Sequence, residues 1–262
     1  MQEYHPRALA LDFGTGHSPG VKRLLQATVG CFVLQILAGG SLEPVLGLVP
    51  GAAVGRLMPW QFVTYLFLHA GAFHLFFNMY ALWALGRDVE AALGTRRFVA
   101  YYLMCGVAGG ACAYLFYEPP AVIMGASGAI FGVMTAFAVL YPERVITLLV
   151  FFVIPVRMTA RQMALALAGI ELLFVVQNPH GGVVAHFAHL GGALCGYLYM
   201  RWSGFCRGGR PGGGRRGGGF HAGVTGEGGA PDTDDLLDKI SRHGLGSLTE
   251  DEREQLRRAS RR

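Results

Sequence analysis

Residues 119–142 read PPAVIMGASGAIFGVMTAFAVLYP and contain no charged side chain. An α-helix needs about 20 apolar residues to cross the ~30 Å hydrocarbon core of a bilayer, so this stretch predicts a membrane span. Five further stretches meet the same requirement, namely residues 24–42, 66–86, 98–117, 162–180 and 183–200. The sequence therefore predicts an all-α membrane protein with six transmembrane helices, numbered here as the first to sixth spans.

Two apolar stretches do not have the length of a single straight span. The uncharged run 57–86 would make a helix of ~45 Å, and it begins with Pro59 and Trp60, a helix breaker and an interfacial aromatic residue. We therefore expect the second span to begin near Leu66, after a loop at the membrane surface over residues 43–65. Residues 145–156 are too few for a span and predict an interfacial segment.

The distribution of charge predicts the orientation of the spans. Residues 24–206 hold 8 arginines, no lysine and 6 acidic residues. Six spans place 21 of the 22 lysines and arginines on the side of the two termini, and Arg56 alone on the other side. By the positive-inside rule, both termini are predicted to be cytoplasmic, with the spans in the cell (inner) membrane. The pI near 9.1 then reflects topology, and we expect no nucleic-acid partner.

Composition divides the chain into four parts. These are a cytoplasmic N-terminal segment (1–23), the six-span domain (24–203), a Gly/Arg-rich flexible linker (204–231) and a small helical C-terminal module (232–262). Alternating basic and acidic residues in the last part favour a protein-interaction module over a DNA-binding one.

Two local patterns predict helices in the C-terminal module. Leu236, Leu237 and Ile240 would share one helical face, and Thr249 with Glu252 predicts a capping box at the start of a second short helix.

The remaining segments offer no sign of a cofactor or of a cleaved leader. The five cysteines form no CxxC pair and lie mostly in apolar runs, which is typical of packing residues. The first 23 residues are polar, and no convincing cleavage site follows the first apolar run, so we expect this run to remain as the first span.

Polar side chains inside the spans are candidates for function because burying them in lipid is costly. They are His69, His74, Asn78, Ser127, Glu171, His186 and His189. Counting 1.5 Å per residue from the outer end of each predicted helix places Ser127 and His189 about 9 Å deep. On the same count His74 lies about 12 Å deep and Asn78 one turn deeper. A hydroxyl, a base and polar donors in one layer are the components of serine nucleophilic catalysis.

Other interpretations of these residues remain open at this point. Ser127 lies beside a GxxxG spacing (Gly128, Gly132) that is typical of close helix packing, and Gly192 and Gly196 repeat it in the sixth span. A lone serine in a span often bonds only to its own helix.

A metal site is the alternative for the histidines. The pairs His69/His74 and His186/His189 have no evident acidic or cysteine neighbour, and HExxH does not occur, so we expect no metal. Glu171 has no evident partner, and we assign it no role.

Four motifs occur in the helices and in the order that a known family shows. They are Trp60-Gln61, His74-Leu75-Phe76-Phe77-Asn78, Gly125-Ala126-Ser127-Gly128, and Ala188-His189-Leu190-Gly191-Gly192 followed by Gly196. With these motifs the chain resembles the rhomboid family of intramembrane serine proteases over about residues 20–203. The segment from Leu237 to Thr249 looks like a small domain appended to some bacterial rhomboids.

The resemblance implies roles for individual residues. Ser127 would be the nucleophile and His189 the general base, in a dyad without a third carboxylate. His74 and Asn78 would line the oxyanion hole together with the backbone N–H of Ser127.

The resemblance also implies roles for four glycines. Gly125 and Gly128 would leave the backbone near Ser127 open to a substrate carbonyl. Gly192 and Gly196 would let the sixth helix approach the fourth.

The function implied is that of a cofactor-free endopeptidase in the lipid bilayer. Its substrates would be transmembrane segments of single-span or multi-span proteins, cut near the outer membrane face, and a protein partner of the C-terminal module is left open. The first alternative is a catalytically silent rhomboid-like protein that binds or escorts such segments, although Ser127 and His189 are both present. The second is a transporter, for which Glu171 is the one charged residue near the middle of a span.

Overall fold

The computed structural model describes residues 18–49, 57–116, 122–150, 154–177, 186–203 and 249–259. The chain divides into two compact units, residues 1–213 and 214–262. The helices are α1 (Pro19–Leu37), α2 (Glu43–Leu46), α3 (Gln61–Thr64), α4 (Ala72–Leu93), α5 (Thr95–Phe116), α6 (Ser127–Leu140), α7 (Ala160–Gln177), α8 (His186–Trp202) and α9 (Glu250–Ala259). A 3-10 turn, Tyr65–Phe67, follows α3, and two strands, β1 (Val145–Val150) and β2 (Ile154–Thr159), lie between α6 and α7.

The described helices have the character of membrane spans. By length and composition α1, α5 and α7 can each cross a membrane. The segment Gln61–Phe67 and α4 meet the same test together, with a bend of 96° between them, and α6 is a shorter apolar helix. Large apolar side chains on the outside, such as Leu37, Val176 and Leu194, are exposed by 60% or more of their area. Such apolar outer faces are typical of helices that contact lipid.

The second span begins later than the sequence predicts. Helix α4 starts at Ala72 and not near Leu66, because the chain becomes extended at Leu68 and again at Gly71. His69 therefore lies in the break before the helix and not within it, which corrects its predicted position. The break was not predicted because the uncharged run that begins at residue 57 continues through it.

The fourth span also begins later than predicted. Residues 122–126 are not helical, and α6 starts at Ser127 itself. Gly125 has φ +130, a backbone conformation outside the helical region. Ile123 instead pairs with Leu48 in an isolated antiparallel bridge. The depth of about 9 Å predicted for Ser127 assumed that the preceding residues are helical. That assumption was wrong for residues 122–126.

The described residues of the segment predicted to be interfacial, 145–156, lie in two antiparallel strands, and the sequence prediction had assigned this segment no secondary structure. Strand β1 pairs with β2 in a register that sets Val145 opposite Thr159 and Val150 opposite Ile154. The described chain is therefore mostly helical rather than all-α. Seven of the twelve strand residues are the β-branched Val, Ile or Thr, which favour extended pairing.

The predicted surface loop, 43–65, contains two short helices that bond to each other. The Gln61 side-chain amide donates to the Pro44 carbonyl at 3.1 Å. The Trp60 indole N–H donates to the Val45 carbonyl at 2.9 Å. These bonds give α2 and α3 a fixed relation although each has only four residues.

A buried carboxylate from another helix caps the N-terminus of α1. Glu90, which is 3% exposed, accepts hydrogen bonds from the backbone N–H groups of Gly20 and Val21 at 2.8 Å each. It also accepts the Thr95 hydroxyl at 2.7 Å. The first N–H groups of a helix have no partner within the helix, so this carboxylate satisfies them from α4.

Helices α6 and α8 cross at glycines. A Cβ atom at Gly192 would overlap the carbonyl oxygen of Gly128, and a Cβ at Gly196 would lie 3.0 Å from the Cα of Gly132. The two GxxxG pairs thus face each other, and neither helix can carry a side chain at the crossing. The Tyr101 hydroxyl of α5 donates to the Gly132 carbonyl at 2.6 Å beside this contact.

The second unit confirms one local prediction. At the start of α9 the backbone N–H of Thr249 donates to the Glu252 carboxylate at 2.8 Å, and the N–H of Glu252 donates to the Thr249 hydroxyl at 3.4 Å. This reciprocal pair is the predicted capping box. The predicted helical face at Leu236, Leu237 and Ile240 lies outside the described residues.

The glycine crossing leads to a stability prediction. Gly192→Ala should lower the melting temperature in detergent, by a loss of about 1–3 kcal/mol, because α6 and α8 must separate to admit the methyl group. Helix propensity alone would favour alanine over glycine by about 1 kcal/mol, so the sign of the change reports on packing. The control is Gly169→Ala in α7, where a Cβ meets nothing within 4 Å. A Gly192→Ala protein that melts at or above the wild-type temperature would contradict this packing.

Candidate active site

Ser127 is the first residue of α6 and follows a turn that glycine makes possible. Gly125 (φ +130) donates its N–H to the Tyr65 carbonyl at 2.9 Å, and Ile130 donates to the Ala126 carbonyl at 3.0 Å to start the helix. The N–H of Ser127 is therefore one of the helix's first N–H groups, which have no acceptor within the helix. The helix dipole adds a partial positive charge at this end.

His189 of α8 lies against Ser127. Its Nε2 atom is 2.7 Å from the Ser127 hydroxyl oxygen, which is hydrogen-bond distance. His189 is 7% exposed, and its ring stacks on Phe131 of α6, with 4.4 Å between ring centroids and 4° between planes. The structure thus brings together the serine and the histidine that are 62 residues apart in the chain. The close crossing of α6 and α8 makes this contact possible.

Glu171 of α7 has two partners, so the interpretation of it as unpaired was wrong. One carboxylate oxygen lies 2.9 Å from His189 Nδ1 and the other 2.5 Å from His186 Nδ1. The expectation of a dyad with no third carboxylate also disagrees with this geometry. Sequence reasoning could have found the pair, because a carboxylate inside a span must be paired and α8 carries the next histidines along the chain.

The same three side chains are the described group that could hold a metal ion. The candidate ligand atoms of Glu171, His186 and His189 lie within 4.8 Å of one another. The sequence argument that the histidine pair has no acidic neighbour was therefore wrong. Each histidine Nδ1 is at hydrogen-bond distance from one carboxylate oxygen, so hydrogen bonds account for the spacing.

His74 and Asn78 occupy one face of α4 near the serine turn. The His74 ring packs on Gly125, where a Cβ atom would lie 2.9 Å from its Nε2. Asn78 is 6% exposed, and its side-chain amide donates to the His74 backbone carbonyl at 2.8 Å. His74 thus lies beside the turn that precedes Ser127, while the described hydrogen bond of Asn78 is within its own helix.

His69 is a buried polar residue next to this group. It is 1% exposed, neither ring nitrogen has a hydrogen-bond partner among the described residues, and the ring meets His74 edge-on at 5.0 Å between centroids. Its backbone is held by Gln35 of α1, which donates to the His69 carbonyl and accepts its N–H, each at 3.0 Å. These bonds fix the break that precedes α4.

The arrangement suits the activation of a hydroxyl group. A serine oxygen, an imidazole at hydrogen-bond distance and a helix N-terminus are the elements of nucleophilic catalysis and of oxyanion binding. The serine and the helix N-terminus belong to α6 and the imidazole to α8, and these two helices pack directly on each other.

Comparisons with known proteins show which family this chain resembles. The Rhomboid domain family model matches residues 56–203, and a family of unknown function (DUF6576) matches residues 231–262. Similar curated proteins include the rhomboid protease GluP of Bacillus subtilis (29% identical over 206 residues, 75% of this chain and 37% of the relative). Others are RHOMBOID-like protein 7 of Arabidopsis thaliana (31%, 62% of this chain and 48% of the relative) and Rhomboid protein 1, mitochondrial, of Saccharomyces cerevisiae (35%, 51% and 38%).

The chain spans between about a third and a half of the length of these relatives. The Rhomboid match nonetheless covers more than half of this chain, including Ser127 and His189. The match and the apolar helices together show that this chain is a multi-pass membrane protein that belongs to the rhomboid family.

Proposed function

We propose that this chain is an intramembrane serine endopeptidase that cleaves transmembrane segments of membrane proteins near the outer membrane face. The observation that supports it most strongly is the 2.7 Å contact between His189 Nε2 and the Ser127 hydroxyl oxygen. The similarity of this chain to a rhomboid protease of Bacillus subtilis also supports the proposal.

In the first step the Ser127 oxygen attacks the carbonyl carbon of the scissile peptide bond. His189 Nε2 takes the hydroxyl proton, and the carbonyl oxygen becomes an oxyanion. The N–H of Ser127, at the start of α6, with His74 and Asn78, would bind this oxyanion. Gly125 and Gly128 place no Cβ atom of their own beside the serine.

In the second step the tetrahedral intermediate collapses and the C–N bond breaks. The protonated His189 gives its proton to the leaving amine, and an ester of Ser127 remains. Water then attacks the ester with His189 as base, which releases the carboxylic acid and restores the serine. Hydrolysis needs water at the site, so we infer that the site opens toward the outer aqueous side.

The substrate must present an extended backbone. An intact helix covers its carbonyl groups with its own hydrogen bonds and side chains, so segments rich in glycine or proline, which are weak helix formers, are the expected targets. The proposed partners are therefore membrane proteins whose spans unwind near the outer face.

The proposed topology has six spans with both termini in the cytoplasm of a cell whose inner membrane holds the protein. The six described helices of 14 residues or more, α1 and α4 to α8, supply one helix for each proposed span. We propose 24–203 as the protease domain, 1–23 as a cytoplasmic segment, 204–231 as a linker and 232–262 as a module that binds a protein partner.

Loss of the hydroxyl tests the nucleophile. Purified Ser127→Ala protein should not cleave a transmembrane substrate that the wild type cleaves, while its melting temperature stays near that of the wild type. His189→Ala should lose cleavage as well, because the hydroxyl is a weak nucleophile without its base. The matched control is Ser41→Ala, whose exposed hydroxyl donates to the Ala38 carbonyl at 2.9 Å. Cleavage by purified Ser127→Ala protein would contradict the serine mechanism.

Kinetics of α4 variants test the oxyanion assignment. His74→Ala and Asn78→Ala should each lower kcat by roughly 10–10³-fold with much smaller changes in KM, because an oxyanion donor acts mainly in the transition state. Single-turnover rates and melting temperatures should be measured on the same detergent samples. If the rate per folded molecule were unchanged, these two side chains would serve only the structure of α4.

Reporter fusions test the proposed orientation. Green fluorescent protein fused after residue 262 should fluoresce, and alkaline phosphatase at the same position should be inactive, because the C-terminus would be cytoplasmic. Phosphatase fused after residue 118, between the third and fourth spans, should be active. The opposite pattern would reverse the proposed topology.

A further inference from the structure

Glu171 lies within α7 and is 8% exposed, and each of its carboxylate oxygens is at hydrogen-bond distance from a histidine. One faces His189 Nδ1 at 2.9 Å and the other faces His186 Nδ1 at 2.5 Å. A carboxylate within a membrane bundle is costly unless it is paired. Two contacts to α8 indicate that its position is specified by the fold.

We propose that Glu171 is a positioning residue for His189, so that Ser127, His189 and Glu171 form a hydrogen-bonded row across α6, α8 and α7. The inference rests on the proposed function of the Ser127–His189 pair. It adds a carboxylate that the dyad expected from the sequence does not have.

The chemistry follows from the ring nitrogen that faces the carboxylate. An ionised carboxylate has only acceptor atoms, so the facing Nδ1 of His189 carries the proton. The other nitrogen, Nε2, then offers its lone pair to the Ser127 hydroxyl at 2.7 Å, which is the form that a general base needs. When Nε2 takes the serine proton, the carboxylate lies beside the imidazolium and stabilises it.

Both histidine rings are also held by aromatic side chains. His189 stacks on Phe131 of α6 at 4.4 Å between centroids, and His186 stacks on Phe174 of α7 at 5.0 Å. Phe131 follows Ser127 by four residues and therefore lies on the same face of α6. His186 contacts the second oxygen of Glu171, while the first oxygen faces His189.

The same contacts could serve only to join α7 to α8, and the experiment must separate the two roles. Full-length wild type, Glu171→Gln, His186→Ala and the control Glu90→Gln are purified in detergent. Glu90 is a buried carboxylate that bonds to the start of α1, and it follows Asn78 by 12 residues in α4, about 18 Å along the helix. For each protein kcat, KM for one transmembrane substrate and the melting temperature are measured.

Positioning predicts an effect on kcat that stability does not explain. Glu171→Gln keeps the shape but places an N–H₂ donor between the two rings, which favours the wrong tautomer of His189. An equivalent carboxylate-to-amide change lowers kcat by about 10⁴-fold in a Ser-His-Asp triad, so a loss between about 10- and 10⁴-fold is expected here, with KM nearly unchanged. His186→Ala should lose far less kcat, and Glu90→Gln should keep kcat per folded molecule.

Two results would overturn the inference. One is a Glu171→Gln protein that keeps the wild-type kcat per folded molecule, provided that wild-type cleavage is lost in Ser127→Ala. The other is a loss of kcat in His186→Ala as large as that in Glu171→Gln, which would indicate that Glu171 only joins the helices. Neither result would contradict the proposed protease activity.

A second readout does not depend on cleavage. Nitrogen-15 NMR of histidine-labelled protein, with His189→Ala to assign the signal, reports which ring nitrogen of His189 holds the proton. The proton is expected on Nδ1 in the wild type and to move, at least in part, to Nε2 in Glu171→Gln. A wild-type His189 that carries its proton on Nε2 alone would overturn the inference whether or not the protein cleaves.

Discussion

The crossing of α6 and α8 at glycine is the contact on which the rest of the site depends. A Cβ at Gly192 would overlap the Gly128 carbonyl, and Gly132 and Gly196 continue the contact one turn further on. In a bilayer little hydrophobic force drives helices together, so close backbone packing supplies much of their association. The same closeness sets the distance between a serine on one helix and a histidine on the other.

Around this crossing the fold supplies each polar group from a different helix. Ser127 is available at the start of α6 because Gly125 turns the chain just before it, and Glu171 reaches His189 from α7. A polar row of this kind is stable in an apolar surrounding only when each member is satisfied by the next. The packing therefore explains both where the site lies and why it can contain a carboxylate.

The sequence predicted the helices better than their starting points. Apolar length identifies a span, but it does not show where the helix begins, and the breaks before Ala72 and Ser127 lie inside apolar runs. The capping box at Thr249 was predictable because both partners are three residues apart. The partners of Glu171 come from another helix and were missed, although the need to pair a carboxylate within a span points to the histidines of the next helix.

The central claim is that the Ser127 oxygen is an activated nucleophile, and covalent labelling tests it most directly. The full-length protein is treated with a fluorophosphonate, digested, and the modified peptide is identified by mass spectrometry. The account predicts one adduct, on Ser127, in wild type, and none at that residue after His189→Ala, because the hydroxyl needs its base. An adduct on another residue in a protein that cleaves its substrate, or equal labelling of Ser127 without His189, would contradict it.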